Sequence, residues 1–388
     1  MSSKLQKKLL SLSLALILLS GCTASENAPT VQESTQQATQ ASTLPEYTQP
    51  QTTQEEVDPI RQMLDSMTLE EKIGQMFLVR CRKETALEDI LAYAPGGYVL
   101  FGADFDGQTP ESIRSTLASW QSQSTIPMLM AVDEEGGTVC RVSNHSAFRA
   151  ERFPSPRDAY SQGGLELVFS LESEKAYLLH YLGLNVNLAP VCDIAQEPGS
   201  FLYQRSLGAD PITTGAFVSG ALQRMQEYGV GGVMKHFPGY GENGDTHVAS
   251  ITDTRSLEEL EGRDLLPFRQ GIATGLGAIM VCHNIVTALD DTLPASLSQN
   301  VMAYLREEMA FSGVIITDDL SMGALAGYTP EEAAVLAVKA GTTMLCSTEF
   351  APQIAAVTQA VDRGEISLST IEDAAYRVLT WKQSLGLL

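Results

Sequence analysis

Short apolar runs alternate with longer amphipathic stretches along most of this chain, and this alternation restricts the fold more than any other feature. Eight runs of four to six apolar or β-branched residues lie at positions 75–79, 97–101, 127–132, 186–190, 231–234, 277–282, 313–317 and 342–346. Amphipathic stretches of helical length lie between them, at 85–93, 109–121, 165–182, 211–228, 257–274, 298–309 and 329–340, and a last helical region covers 352–381. Strands that alternate with helices form βαβ units, so the pattern predicts a parallel sheet.

Eight such units over about 330 residues predict an α/β fold that closes into a (β/α)8 TIM-type barrel, in a single domain at 57–388. A doubly wound open sheet is the alternative. No Gly-x-Gly-x-x-Gly segment follows the first apolar run, which disfavours a nucleotide-binding sheet of that kind. Two short helices precede the first strand, one at 59–67 and one that starts after Thr68, where Thr68 and Glu71 form a capping-box pattern.

The first 21 residues have the pattern of a secretory signal peptide. Three lysines precede an apolar run at 9–19 that is too short to span a bilayer as a helix. The run ends at Leu19-Ser20-Gly21-Cys22, which resembles the lipobox of bacterial lipoproteins. The resemblance implies that Cys22 is acylated and becomes the first mature residue; a signal peptide that merely contains a cysteine is the alternative.

Residues 22–56 have the composition of a disordered tether. Of these 35 residues, 21 are Ser, Thr, Gln or Pro, and none is Lys or Arg. With Cys22 they predict an exported protein, lipid-anchored to the outer face of the bacterial cytoplasmic membrane. The whole chain has 47 acidic and 25 basic residues, a formal charge of -22, which disfavours nucleic acids and anionic lipid head groups as partners. Membrane contact is therefore expected through the anchor alone, and the protein is expected to be a monomer.

Five further cysteines are spread along the predicted barrel, and none has a metal-binding or redox spacing. Three of them lie in or just after apolar runs, so we expect buried free thiols at Cys81, Cys140, Cys192, Cys282 and Cys346. An exported protein permits disulfides without requiring them. No structural metal and no cofactor is predicted.

Ionisable residues follow five of the eight predicted strands. In a (β/α)8 barrel the strand ends meet at one rim, where active sites lie, and this rim would carry Asp133, Asp193, Lys235, His236, His283 and Asp318. Any one of them is compatible with an ordinary polar residue where a strand meets solvent. Their convergence on one rim predicts a functional site.

The segment 235–247 contains the most residues suited to catalysis. Its glycines and proline predict a long irregular loop at the barrel mouth. Asp245 and His247 form an Asp-x-His pair, in which the carboxylate can hold the imidazole for proton transfer. A surface turn with a solvated His247 is the alternative.

Two other segments bring acids to the same rim. At 313–322 a buried strand leads directly into Asp318, expected to face the barrel axis as a nucleophile, and Asp319, expected to cap the next helix. At 133–141 paired glycines allow a tight turn between Asp133 and Arg141, which could hydrogen-bond a polyhydroxylated ligand. An ordinary glycine-rich turn with an exposed acid is the alternative there.

Taken together, these segments resemble the family three glycoside hydrolases, in particular the single-domain β-N-acetylglucosaminidases. Six blocks carry the resemblance: Met-Thr-Leu-Glu-Glu-Lys-Ile-Gly-Gln-Met at 67–76, Asp-x-Glu-Gly-Gly-x-Val-x-Arg at 133–141, Leu-Ala-Pro-Val-Cys-Asp at 188–193, Arg-Ser-Leu-Gly at 205–208, Lys-His-Phe-Pro-Gly at 235–239 and Thr-Asp-Asp-Leu-x-Met at 317–322. They lie in the family's order, so the resemblance extends over 57–388.

The resemblance implies a retaining exo-β-N-acetylglucosaminidase that removes terminal β-linked GlcNAc from cell-wall or chitin-type saccharides through a covalent glycosyl-aspartate. Asp318 would be the nucleophile, and His247, oriented by Asp245, would be the general acid/base. The residues that bind the sugar hydroxyls and the N-acetyl group would be Asp133, Arg141, Arg205, Lys235 and His236.

The chain departs from the usual pattern of the family at Thr138 and Tyr240, where many members have Arg and His. Its loop from Lys235 to the Asp-x-His pair is also one residue shorter than the commonest spacing. These departures bear on loop geometry and aglycone preference more than on the chemistry. A β-glucosidase or β-xylosidase, a GlcNAc phosphorylase on the same scaffold, and a non-catalytic sugar-binding lipoprotein are the alternative functions.

Overall fold

A computed structural model of the protein describes residues 58–388. The predicted signal peptide at 1–21, the acylation site Cys22 and the tether at 22–56 lie outside the described residues. Among the helices of the described part, none has both the length and the apolar character needed to span a membrane.

The centre of the fold is an eight-stranded parallel sheet that closes on itself. Its strands β1 to β8 are Phe77–Arg80, Gly97–Leu100, Leu129–Val132, Val186–Asn187, Gly231–Phe237, Ala278–Val281, Ile315–Thr317 and Leu345–Ser347. Neighbours in the chain pair from β1 to β7, and β8 pairs with β1. A bridge between Ile316 and Met344 joins β7 to β8 and completes the barrel. The predicted single-domain (β/α)8 TIM-type barrel is confirmed, and the open doubly wound sheet is wrong.

Helices surround the barrel and connect its strands. They are Pro59–Ser66, Leu69–Gln75, Ala86–Tyr93, Pro110–Gln123, Pro156–Leu182, Pro211–Gln226, the continuous set Leu257–Glu259, Leu260–Asp264 and Leu265–Ile272, the pair Gln299–Ala303 and Tyr304–Glu308, and Pro330–Ala340, Phe350–Asp362 and Leu368–Ser384. The predicted capping box is present, since Thr68 accepts the N–H of Glu71 and Glu71 accepts the N–H of Thr68.

The helix predicted at 165–182 is present, and a short helix at 156–162 that was not predicted precedes it. Ser155 caps this first helix, and the non-helical backbone of Gly163 and Gly164 separates the two. One helix prediction is wrong in extent. The region predicted at 352–381 divides into Phe350–Asp362 and Leu368–Ser384. Between these helices Gly364 has a φ of 71°, and Ser367 caps the second helix by accepting the N–H of Thr370.

Consecutive residues along the strands pack on opposite sides of the barrel wall. Leu78, Val99 and Ala131 belong to the cluster inside the barrel, whereas their neighbours face the helices. Trp381 of the last helix and Leu385, which caps its C-terminus, join the interior cluster near Gly231, the first residue of β5, and close that end. The polar residues are therefore left to the opposite end, where the strands terminate.

Lys382 is a fully buried lysine on the last helix. Its ammonium donates a hydrogen bond to a neutral group, Oε1 of Gln75, at 2.6 Å. Burial lowers the pKa of Lys382 from 10.5 to about 7. As the pH rises, the folded protein therefore loses this proton before the unfolded chain does.

We expect Lys382→Met to remove a rise in stability with pH. Below about pH 7 Lys382 is protonated in both the folded and the unfolded state, and the folded state bears the full cost of burying the charge. Between about pH 7 and 10.5 only the unfolded chain holds the proton, so the free energy of unfolding rises with pH. The difference in the free energy of unfolding between wild type and Lys382→Met should change by about 4 kcal/mol from about pH 6 to about pH 10. Urea unfolding across this range measures it, with exposed Lys339→Met as the control. Parallel pH dependences of wild type and Lys382→Met would contradict the prediction.

Candidate active site

A cavity of about 640 Å³ opens at the C-terminal ends of the strands. All eight residues that the sequence predicts for catalysis and substrate binding line it: Asp133, Arg141, Arg205, Lys235, His236, Asp245, His247 and Asp318. They come from the ends of β3, β5 and β7 and from the loops after β3, β4 and β5. Residues far apart in the sequence thus meet in one site because the barrel is closed.

Lys235, within β5, holds two carboxylates that follow β3. Its Nζ lies 2.6 Å from Oδ1 of Asp133 and 2.7 Å from Oε1 of Glu135. Arg205 forms a bidentate pair with the same Glu135, with Nε to Oε2 at 2.9 Å and Nη2 to Oε1 at 2.7 Å. Charges of both signs are therefore fixed at the cavity wall, where they offer donors and acceptors to hydroxyl groups.

These ion pairs keep the buried groups charged. Burial raises the pKa of Glu135, but Arg205 and Lys235 outweigh it and hold the pKa well below its usual range. Burial lowers the pKa of Lys235, but Asp133 and Glu135 outweigh it, so the pKa is raised. The charged forms are stable here because each group has a partner of opposite sign.

Glu135→Gln is expected to lower the free energy of unfolding by about 3 kcal/mol, because it removes the carboxylate paired with Arg205 and one of the two carboxylates that Lys235 contacts within residues 58–388. Urea unfolding at neutral pH measures the change. Glu174→Gln, which breaks the half-exposed pair with Arg149, is the control and should have a much smaller effect. Equal destabilisation by the two substitutions would show that the buried network does not stabilise the site.

His236 is oriented by Asp193, which follows β4. Oδ2 of Asp193 accepts the backbone N–H of His236 at 3.0 Å and lies 2.8 Å from its Nδ1. Nε2 of His236 lies 3.2 Å from Nη2 of Arg205, which can only donate, so Nε2 accepts and the ring proton is on Nδ1. Asp193 therefore determines both the orientation and the tautomer of a residue that lines the cavity.

Asp318 lies directly after β7 and faces the cavity. Its Oδ1 accepts the N–H of Asp319 at 2.9 Å, and the buried His283 lies behind it, with Nε2 3.0 Å from the carbonyl oxygen of Asp319. Burial raises the pKa of Asp318, but the imidazole of His283 and the Asp319 N–H act in the opposite direction, and the pKa lies below its ordinary value. An anionic carboxylate at the cavity wall is suited to nucleophilic attack.

Asp245 and His247 contact each other on the loop after β5. Oδ1 of Asp245 lies 2.6 Å from Nδ1 of His247 and also accepts the backbone N–H of His247 at 2.8 Å. The surface turn considered as the alternative is therefore present, and it brings the two side chains together. The His247 side chain is 56% exposed, so an imidazole held through Nδ1 is open to proton exchange at Nε2.

Arg141 is placed by a tight hairpin after β3. Gly136 and Gly137 have φ values of 105° and 62°, as the predicted turn requires. The Arg141 guanidinium lies 3.7 Å from Oδ2 of Asp133 and 5.3 Å from the ring centroid of Phe101. In the described part of the chain its Nε is buried and has no hydrogen-bond partner.

Two residues support the site in roles that were not predicted, Glu135 and Asp193. The strand-end position placed Asp193 at the rim without assigning it a role, whereas nothing in the sequence indicates which of the adjacent Glu134 and Glu135 faces the site. In the structure Glu134 turns away and accepts the N–H of Val142 at 2.7 Å, which leaves Glu135 for Lys235 and Arg205. A buried pair of this kind is visible only when its partners are known.

Asp319 does not cap a helix, contrary to the prediction. Its Oδ1 accepts the N–H of Ser321 at 2.9 Å, and its Oδ2 accepts the hydroxyl of Thr348 at 2.7 Å. The next helical turn, Gly323–Leu325, begins only after Met322. Asp319 connects the loops after β7 and β8, because a tight turn and not a helix follows β7.

The five cysteines of the described chain are buried, as predicted, and none is in a disulfide. Cys346 lines the cavity. Within residues 58–388 no group of three His, Cys, Asp or Glu side chains is arranged to hold a metal ion.

Comparison with known proteins assigns the chain to a family. Residues 68–381 match the family described as Glycosyl hydrolase family 3 N terminal domain. The chain is 30% identical over 329 residues to Beta-hexosaminidase LpqI of Mycobacterium tuberculosis, a match that covers 80% of this chain and 82% of that protein. A Beta-hexosaminidase of Nitrosomonas eutropha is 32% identical over 258 residues, which cover 64% of this chain and 72% of that protein.

Solved structures of the same family have the same barrel. A glycoside hydrolase family 3 beta-N-acetylglucosaminidase from Paenibacillus sp. superposes with a TM-score of 0.78 at 31% identity, covering 83% of this chain and 63% of that chain. The structure of M. tuberculosis LpqI superposes with a TM-score of 0.76 at 29% identity, covering 83% of this chain and 96% of that chain. From the family match and these relatives we conclude that the chain belongs to glycosyl hydrolase family 3, as a glycoside hydrolase of the β-hexosaminidase type.

Proposed function

We propose that the protein is a retaining exo-β-N-acetylglucosaminidase that hydrolyses terminal β-linked GlcNAc from cell-wall or chitin-type saccharides. The observation that carries the proposal is a single cavity with an anionic carboxylate, Asp318, and an imidazole held by a carboxylate, His247. The similarity to a beta-N-acetylglucosaminidase and to proteins called Beta-hexosaminidase supports this choice of sugar.

The two groups have complementary roles in the proposed reaction. Asp318 attacks C1 of the sugar while Nε2 of His247 gives its proton to the departing glycosidic oxygen, so an ester to Asp318 forms as the glycosidic bond breaks. His247 then takes a proton from water, whose oxygen attacks C1 and releases Asp318. Two inversions at C1 retain the anomeric configuration.

A histidine suits the acid/base role beside this nucleophile. A second carboxylic acid that became ionised near Asp318 would raise the pKa of Asp318 and so reduce the fraction of the reactive anion. The imidazole of His247 instead lowers the pKa of Asp318. The Asp245 carboxylate stabilises the imidazolium from the side away from the reaction.

The remaining lining residues supply the hydrogen bonds that a neutral sugar needs. In this proposal Asp133 accepts from sugar hydroxyls, whereas Lys235, Arg205 and Arg141 donate to hydroxyl oxygens and to the N-acetyl carbonyl. His236, with its proton on Nδ1, presents Nε2 toward Arg205 and the cavity.

A substrate panel tests the assignment. Nitrophenol release from the β-GlcNAc glycoside should exceed release from the β-glucoside and β-xyloside, and the first product seen by NMR should be β-GlcNAc. Faster turnover of the glucoside or xyloside would change the sugar assignment, and an α product would exclude the retaining mechanism. Sugar 1-phosphate formed in added phosphate would indicate phosphorolysis, and calorimetric binding without turnover would indicate a sugar-binding protein.

We infer from the sequence that the enzyme is exported and lipid-anchored to the outer face of the bacterial cytoplasmic membrane through Cys22. Cys22→Ser should move the protein from the membrane fraction to the soluble extracytoplasmic fraction without changing kcat/KM. Retention of Cys22→Ser in washed membranes would contradict the anchor. Analytical ultracentrifugation of the protein without residues 1–22 tests whether it is a monomer.

A further inference from the structure

Thr246 lies between Asp245 and His247 and faces the opposite way. Its side chain is completely buried, whereas the neighbouring side chains are 33% and 56% exposed. Within this turn the Thr246 side chain points into the protein, whereas the side chains of both neighbours point outward. Thr246 is therefore placed to hold the Asp245–His247 pair from the protein side.

The hydroxyl of Thr246 is hydrogen-bonded to the hydroxyl of Tyr240. Tyr240 is itself buried, and its ring packs edge-to-face on His236, with centroids 5.3 Å apart. Its backbone N–H donates to Oδ1 of Asp193 at 2.7 Å. One tyrosine thus joins the support of the sugar-binding residues to the loop that carries His247.

Backbone hydrogen bonds hold the same loop from a second side. The N–H of Ala324 donates to the carbonyl of Thr246 at 3.0 Å, and the N–H of Gly323 donates to the carbonyl of His247 at 3.1 Å. A Cβ on Gly323 would lie 2.7 Å from the His247 oxygen, so this approach needs glycine. Residues 248–250 are exposed, which concentrates the anchoring of the loop at Thr246 and His247.

We propose that Tyr240 and Thr246 are positioning residues, whose hydroxyl–hydroxyl bond places the Asp245–His247 pair where His247 can protonate the leaving group. The proposal rests on the proposed function, in which His247 is the general acid/base. Both side chains are buried behind the loop and neither lines the cavity. Loss of their bond should therefore affect proton donation more than sugar binding.

The acidity of the leaving group separates this role from a general structural one. A dinitrophenolate departs without a proton, whereas an alkoxide needs one from a well-placed acid. A displaced His247 would slow the cleavage of alkyl glycosides and leave the dinitrophenyl glycoside nearly unaffected. A distorted barrel or sugar pocket would slow both substrates equally.

Tyr240→Phe and Thr246→Val each remove one hydroxyl and keep the size of the side chain. We expect kcat/KM for methyl β-GlcNAc to fall about tenfold in each variant, and kcat/KM for dinitrophenyl β-GlcNAc to change less than about twofold. The double variant should fall no further than either single one, because both substitutions break the same bond. Two independent variants keep the test valid if one of them folds poorly.

Tyr98→Phe is the matched control, since it removes a buried tyrosine hydroxyl that donates to the carbonyl of Ala86 at 2.6 Å, outside the cavity. Tyr98→Phe should leave kcat/KM unchanged for both substrates. Equal losses on both substrates, or none on either, in folded Tyr240→Phe and Thr246→Val would overturn the proposal. His247→Ala, measured alongside, distinguishes failure of this proposal from failure of the proposed function. If the loss in His247→Ala does not depend on the leaving group, the acid/base assignment of His247 is wrong. If the loss depends on the leaving group in His247→Ala but not in Tyr240→Phe and Thr246→Val, only the positioning role of Tyr240 and Thr246 is wrong.

Discussion

Asp318→Asn is expected to reduce kcat/KM for nitrophenyl β-GlcNAc by about 10⁴-fold or more. The amide has almost the shape of the carboxylate, but it has no negative charge with which to attack C1. Its oxygen can still accept the N–H of Asp319, so the loop after β7 should keep its conformation. Steady-state kinetics measures the loss, and an unchanged thermal unfolding curve shows that the fold is intact.

Azide gives this substitution a stereochemical readout. In Asp318→Ala the missing side chain leaves space on the α face of the sugar, where azide can displace an activated leaving group in one inverting step. The expected product is the α-glycosyl azide, with turnover that rises with azide concentration. A β-glycosyl azide would mean that a covalent intermediate still forms and that another residue is the nucleophile.

Asp319→Asn is the closest control for Asp318, because it neutralises the adjacent carboxylate. Asp319 binds Ser321 and Thr348 through its two oxygens, so we expect a loss far smaller than that of Asp318→Asn. A larger loss in Asp319→Asn would transfer the nucleophile to that residue.

His247→Ala is expected to reduce kcat/KM for alkyl and saccharide β-GlcNAc glycosides by about 10³-fold, and to affect the dinitrophenyl glycoside far less. The difference arises because only the poor leaving groups need the proton that His247 supplies. The substitution should be tolerated by the fold, since the side chain is 56% exposed.

Azide again distinguishes the role, now with the opposite anomer. In His247→Ala the glycosyl-enzyme on Asp318 still forms from an activated substrate, and azide attacks it from the β face without base assistance, giving the β-glycosyl azide. His180→Ala, at an exposed histidine outside the cavity, is the control and should leave both substrates unchanged. An α-glycosyl azide from His247→Ala, or uniform loss on all leaving groups, would exclude the acid/base role.

The barrel was predictable because its signal is repeated. Each strand of a (β/α)8 barrel is buried on both sides, so it is a continuous apolar run, and the chain contains eight of them separated by helices. Two features were missed where local signals compete: Ser155 and Pro156 start a short extra helix before the break at Gly163-Gly164, and Gly364 interrupts the last helical region. The helix-cap role predicted for Asp319 was wrong because an aspartate after a strand is favoured both before a tight turn and at the start of a helix.

The amino-acid sequence by itself determined the fold class and which residues reach the rim, since the alternation of apolar runs with amphipathic stretches and the position of a residue at a strand end are local properties of the chain. Only the tertiary structure decided the partners: Glu135 rather than Glu134 pairs with Arg205, 70 residues away, and Asp193 orients His236 from 43 residues away. The contact of Tyr240 with Thr246 is short in sequence, yet it too depends on the loop lying against Gly323. Such pairings depend on barrel closure, which brings strand ends within hydrogen-bonding distance and removes the water that would otherwise solvate each charge.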